Sequence, residues 1–169
     1  MAETSFYRIG VLSDTHGYLH SALFDLFDGV QLILHAGDIG RDDVLVELRT
    51  IAPVQAVAGN VDLPDPRARP LIRQLETPAG RIAMTHGHLA HASAHDHASL
   101  LGQFAGFQPG IIIFGHSHLP LIEELDGVKL FNPGAAGRAG LTQHGATVGM
   151  ISVEEGSGQV RLEHLKLSA

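Results

Sequence analysis

Apolar positions crowd together at the start of the chain, in FYRIGVLS at 6–13, and the run breaks off at Asp14. A short, dense apolar run bounded by polar residues predicts a buried strand. Over 18–27 the apolar residues fall at Leu19, Ala22, Leu23, Leu26 and Phe27, the spacing of a helix. The two textures then repeat, predicting a strand over 30–36, a helix over 42–51 and a strand over 53–59. A β-α-β-α-β order implies parallel strands with helices laid across them.

The pattern changes after residue 60. Three prolines within 63–70 mark an extended connection, and 71–87 predicts two strands joined at Pro78-Ala79-Gly80. A helix is expected over 93–107 and a short buried strand over 111–115, where three isoleucines stand in a row. From 119 onward antiparallel strands are expected, turning at Asp126-Gly127 and Gly156-Ser157-Gly158. No linker, repeat or low-complexity block intervenes, so 1–169 is expected to form a single mixed α/β domain.

Against this map, seven polar residues stand out. Asp14 and His16 follow the first strand, Asp38 the second and Asn60 the third. His86 ends a later strand, and His116 and His118 end the isoleucine strand. In open α/β sheets, ligand sites lie beyond the carboxyl ends of the strands. Residues i and i+2 of an extended chain project to the same side, so each pair, Asp14 with His16 and His116 with His118, is expected to aim at one volume. Glycines at 17, 37, 59, 87 and 115 allow tight turns and close backbone approach there. Seven such side chains exceed one first-row ion but suit two ions roughly 3.5–4 Å apart.

Composition narrows the partners. The formal charge is −7 with only 11 Lys and Arg, which argues against extended nucleic acid binding and calls for another source of positive charge for an anionic substrate. Twelve histidines make metal binding one way to supply it, and the absence of cysteine excludes thiolate ligands. No apolar run approaches the ~18–20 residues of a membrane span, so no membrane association and a cytoplasmic location are expected. A homo-oligomer is left open.

The succession D-x-H, G-D, G-N, H-G-H and G-H-x-H over 14–118, extended by N-P-G at 132–134, resembles the calcineurin-like metallophosphoesterase superfamily. The short length and G-N-V-D at 59–62 resemble its small YfcE-like phosphodiesterases. The resemblance implies a four-layer αββα sandwich, with two mixed β-sheets face to face and helices outside. It implies that Asp14, His16 and His118 hold one ion, that Asn60, His86 and His116 hold the other, and that Asp38 bridges both. Asp38, Asn60 and His88 then serve catalysis, and Asn60 and His88 contact substrate; Arg138, in a Gly-Ala-rich run, is a further candidate for a substrate phosphate.

Charge counting supports that chemistry. Two divalent cations outweigh two aspartates and a bridging hydroxide by one positive charge, enough to draw a phosphate to an acidic protein. The expected reaction is attack of that hydroxide on a small phosphoester, such as a nucleotide or cyclic-nucleotide diester. Imidazole, carboxylate and amide donors favour Mn, Fe, Co, Ni or Zn over Mg or Ca, and the resemblance leans toward manganese. One departure stands out: many superfamily members have a histidine after the asparagine as general acid, where this chain has Val61.

Other residues are expected to serve structure. Asp62 is read as a turn-capping carboxylate or a ligand-orienting one, and Asn132 as a brace for the metal loops. His35 is expected to be buried and hydrogen-bonded, and His20, His144 and His164 to lie on surface or helix faces. His91, His95 and His97 are read as a solvated loop or subunit contact, with a helical face shared with His88 that collects an extra metal or a phosphate as the alternative. The rival readings are a non-catalytic scaffold, as in a eukaryotic retromer subunit of this fold, and a phosphomonoesterase.

Overall fold

A computed structural model describes residues 5–89, 97–138 and 140–167. The first half alternates as expected: β1 (Phe6–Leu12), α1 (Ala22–Leu26), β2 (Leu32–His35), α2 (Asp42–Leu48) and β3 (Val54–Ala56). Then follow β4 (Ile72–Thr77), β5 (Gly80–Thr85), α3 (Ala98–Phe104), β6 (Ile111–Ile113), β7 (Leu121–Leu125), β8 (Val128–Asn132), β9 (Thr147–Glu154) and β10 (Val160–Lys166). The helices are shorter than the apolar spacing predicts. Helix α1 begins at Ala22 rather than 18, because Tyr18 N–H bonds back to Thr15 and His20 Nδ1 accepts from Ala22 N–H at 3.2 Å. Of the helix expected over 93–107, residues 93–96 lie outside the described residues.

The strands form two five-stranded mixed sheets, ordered β10-β9-β1-β2-β3 and β4-β5-β6-β8-β7. Strands β1, β2 and β3 run parallel, as do β5, β6 and β8. The period-two pattern sorts side chains between layers. Ile9 and Val11 of the first sheet meet Ile82, Met84, Ile111 and Ile113 of the second in a shared core. The residues alternating with them point outward: Ala83 and Ile112 pack beneath Leu100 and Phe104 of α3, and Leu12 packs with Leu23 and Val44 of α1 and α2. The four layers are thus helix, sheet, sheet, helix.

Asp126 and Gly127, both with positive φ (51° and 77°), close the β7–β8 hairpin in the way a two-residue turn requires. Past residue 119 the expected antiparallel series is only partly met. Strand β8 lies parallel to β6 as well as antiparallel to β7, and β9 crosses over to pair with β1 in the other sheet. The carboxyl ends of β1, β2, β3, β5 and β6 therefore open at one end of the sandwich.

Candidate metal centre

At that end the seven candidate ligands converge. Asp14, His16 and His118 each present a donor atom within 4.8 Å of the other two, and so do Asp14, Asp38 and His86. Asp38 faces both groups: its Oδ1 lies 3.3 Å from His86 Nε2 and its Oδ2 lies 3.6 Å from His16 Nε2. Asn60 Oδ1 is 3.1 Å from His86 Nε2, and the His116 ring sits edge-on to His86 with centroids 5.2 Å apart. His88 joins the same cluster, 5.4 Å from the His86 ring.

Two tautomers are set by the backbone. The Nδ1–H of His86 donates to Ala36 O at 2.7 Å, and that of His118 donates to Leu141 O at 3.1 Å. A carbonyl only accepts, so Nε2 of each ring is turned to the centre, as a metal-ligating histidine requires. Asp14 is wholly buried, and its Oδ1 lies 3.2 Å from His118 Nε2, 3.8 Å from His86 Nε2 and 4.0 Å from His16 Nε2. These are ion-pair approaches, and Oδ1 is buried with no hydrogen-bond partner beyond them. An orphaned buried carboxylate oxygen is costly. Ringed by imidazoles, it fits a divalent cation.

The charges respond to one another. The nearby Asp14 carboxylate raises His118 to about 9, against its partial burial. Burial pulls His86 down, but Asp38 and Asp14 outweigh it and raise the ring. Asp38 is pushed up by burial, yet His86, the Val61 N–H and His16 together bring it to about 2. His88 and His116 are both lowered, first by burial and then by the charge on His86.

The backbone here is bent in a way the sequence pattern does not anticipate. Seven described non-glycine residues have positive φ, and five of them are Asp14, His16, Asp38, His116 and His118. The two D-x-H and H-x-H pairs therefore do not converge by extended-chain alternation. They sit past the strand ends on left-handed turns, which cost of order 1–3 kcal/mol each and cluster at functional sites. Bonds between loops hold these turns: Asp14 N–H to Gly37 O at 2.9 Å, His16 N–H to Asp38 O at 3.0 Å and Gly115 N–H to His86 O at 3.1 Å. Gly59 and Gly115 leave no room for a side chain, since a Cβ would stand 2.1 Å from Asp38 Oδ1 or 2.0 Å from Ser13 Oγ respectively.

A layer of buried polar groups supports the loops. His35, lowered by burial to about 4, accepts from Gly37 N–H through Nδ1 at 3.2 Å and donates from Nε2 to Thr15 Oγ1 at 3.0 Å. The Thr15 hydroxyl in turn donates to Ile39 O at 3.0 Å, locking the Asp14 and Asp38 loops together. Asn132 Nδ2 bridges Gly115 O and Ser117 Oγ, both at 3.0 Å, bracing the 115–118 loop as expected. Asp62 proves to be a clamp. Its carboxylate accepts from Gly59 N–H at 2.8 Å, Gly40 N–H at 2.9 Å and Ile39 N–H at 3.0 Å. Asp62→Ala leaves three donors without that acceptor and is expected to destabilise the protein by about 1–3 kcal/mol, measured by urea unfolding. An unchanged midpoint would show that water replaces the carboxylate at no cost.

Other candidates lie further out. Arg138 is exposed, with its guanidinium 4.9 Å over the Tyr18 ring. His164 is on a strand, not a helix face, and its Nε2–H donates to Asn132 O at 2.8 Å. His97 pairs with Glu123 at 2.8 Å, and His91 and His95 lie outside the described residues. Thr15 was not among the expected site residues; its only signal is its place between Asp14 and His16.

Comparison with known proteins agrees with the geometry. Residues 7–156 match the calcineurin-like phosphoesterase superfamily domain. A probable metallophosphoesterase of Methanothermobacter thermautotrophicus is 39% identical over 132 residues, covering 75% of this chain and 76% of the relative. A phosphodiesterase of Methanocaldococcus jannaschii is 28% identical over 165 residues, 88% of this chain and 94% of that one. In fold, the chain is similar to vacuolar protein sorting 29 from Cryptosporidium parvum, with a TM-score of 0.77, 19% identity, and coverage of 95% and 98%. The match spans the loops that carry all seven candidate ligands, and on it this chain belongs to the calcineurin-like phosphoesterase superfamily.

Proposed function

We propose that the protein hydrolyses small phosphodiesters with two divalent transition-metal ions, manganese foremost and nickel, iron, zinc or cobalt as alternatives. Asp14, His16 and His118 would hold one ion, Asn60, His86 and His116 the other, with Asp38 between them. The observation that carries this reading is Asp14 Oδ1, buried without a hydrogen-bond partner and ringed by His16, His86 and His118. When bound, the ions supply Lewis acidity toward phosphoryl oxygens and an acidified water.

The chain's own groups do the rest. Asp38, with Oδ2 toward His16 and Oδ1 toward His86, would serve both positions. His88, whose pKa burial lowers, holds an unpartnered buried Nδ1 beside the second position, where it can meet a phosphoryl oxygen. Val61 is half exposed and has no proton to give, so the leaving group departs without help from that position. Esters of acidic alcohols and phenols are the substrates this favours.

The test is turnover of bis-p-nitrophenyl phosphate by metal-free protein with and without added Mn2+, with p-nitrophenyl phosphate in parallel. Metal-dependent release of p-nitrophenolate from the diester is expected. No turnover with Mn, Ni, Fe, Zn or Co, despite metal binding, would favour the scaffold reading. That reading draws on Leu63 and Leu89, which flank Asn60 and His88 and are 81% and 59% exposed. Faster turnover of the monoester would make the protein a phosphomonoesterase.

A further inference from the structure

Beside the metal centre runs a groove of about 560 Å3. That volume is within the range of small-molecule sites. Its apolar wall is Phe114, Leu119 and Leu121, and its polar rim includes His144, His164 and Lys166. The loop around Ser117 is a shared partition. His118 turns to the metal centre, while Ser117 and Leu119 line the groove. A smaller trough of about 190 Å3 over Leu141 and Thr142 is lined by His118, Ser117 and His144, so it shares residues with both spaces.

The chain carries a formal charge of −7, yet no carboxylate stands among the described residues lining this groove, which has an ammonium and imidazoles instead, although one of these, His97, is paired with Glu123 at 2.8 Å. Ser117 Oγ accepts from Asn132 Nδ2 and Leu119 N–H, leaving its own hydrogen for a ligand. An acyl chain would have no use for the ammonium, the imidazoles or the hydroxyl. A purely anionic ligand would have no use for the leucines and Phe114. A flat heteroaromatic ring uses both, with its faces against Leu121 and the imidazoles and its acceptor edge toward Lys166 and Ser117.

We propose that this groove holds the nucleobase of a nucleoside phosphoester whose phosphate sits at the metal centre, an inference that rests on the phosphodiesterase reading. Nucleoside phosphoesters whose other substituent is an acidic alcohol or phenol would then be the preferred substrate class, with the base selected on the far side of the Ser117 partition.

The experiment compares adenosine 5′-monophosphate with ribose 5-phosphate as inhibitors of methyl p-nitrophenyl phosphate hydrolysis. The two share sugar and phosphate and differ in the base. The base is expected to improve inhibition by roughly tenfold, a modest share of what burying a ring yields. Leu121→Trp, which fills the groove, and His144→Ala, which opens its exposed rim, should each bring that ratio toward one. Phenylphosphonate is the control for a short aryl group: an advantage for it over methylphosphonate, with none for the nucleotide, would overturn the nucleoside assignment. Imidazole resonances of His144 and His164 in zinc-loaded protein should move with the nucleotide and not with ribose 5-phosphate. Equal inhibition by both, with no nucleotide-specific shift, would overturn the proposal. Absence of reporter turnover with any metal defeats the phosphodiesterase reading instead, and nucleotide-specific shifts would still support the groove.

Discussion

Replacing Asp38 with asparagine is expected to lower kcat/KM for bis-p-nitrophenyl phosphate by roughly 10²–10³-fold at saturating Mn2+, the scale of losing one preorganised charge-stabilising group at a reacting centre. The shape of the side chain is kept, so the loss comes from charge and from orientation. Val61 N–H donates to Asp38 Oδ1 at 3.1 Å, so an asparagine places its carbonyl oxygen there. Its amide nitrogen then takes the place of Oδ2, 3.6 Å from His16 Nε2, where it offers hydrogens and no negative charge. The group containing His86 keeps an oxygen and the group containing His16 loses one. Titration of the variant with metal should therefore weaken one binding event more than the other. Unchanged kinetics with two equal binding events would remove Asp38 from the centre.

Much of this was legible in the sequence because it depends on local pattern. Ile9 with Val11, Ile82 with Met84 and Ile111 with Ile113 announce strands by spacing alone, and their alternation puts them in the inter-sheet core. Polar residues immediately after such strands then mark one end of the sheets. What the pattern could not carry is non-local. The pairing of β9 with β1 joins segments more than a hundred residues apart, and nothing in either run specifies its partner. The left-handed turns at Asp14, His16 and Asp38 come from loop-to-loop backbone bonds, so the i, i+2 spacing gave the convergence with the wrong conformation. Asp62 read equally well as a turn cap or a ligand-orienting group until the 39–40 loop came within reach of its carboxylate. The role of Thr15 depends in the same way on His35 and Ile39 lying across from it.

Metal affinity is expected to fall by about a hundredfold between pH 8 and pH 6, tenfold per pH unit for each proton an ion displaces. In the metal-free protein the Asp14 carboxylate raises His118 to about 9, so below that pH the ring carries a proton that an ion must expel. His86 is also raised and adds to the slope for the second ion, whereas His116 is lowered and brings little proton competition. Stability runs the other way. The attraction between protonated His118 and Asp14 is fully present below the unfolded histidine value near 6.5 and is lost as the pH rises through about 9. Metal-free protein should therefore melt at lower temperature as the pH goes from 7 to 9, while the increase in Tm produced by Mn2+ grows over the same interval. Competition with a chelating dye measures the affinity, and thermal melts measure the stability. An affinity flat across this range would remove His118 as a ligand. Opposed trends would mean that the proton on His118 stands in for the cation beside the orphaned Asp14 oxygen, so that the fold keeps the site assembled until metal displaces it.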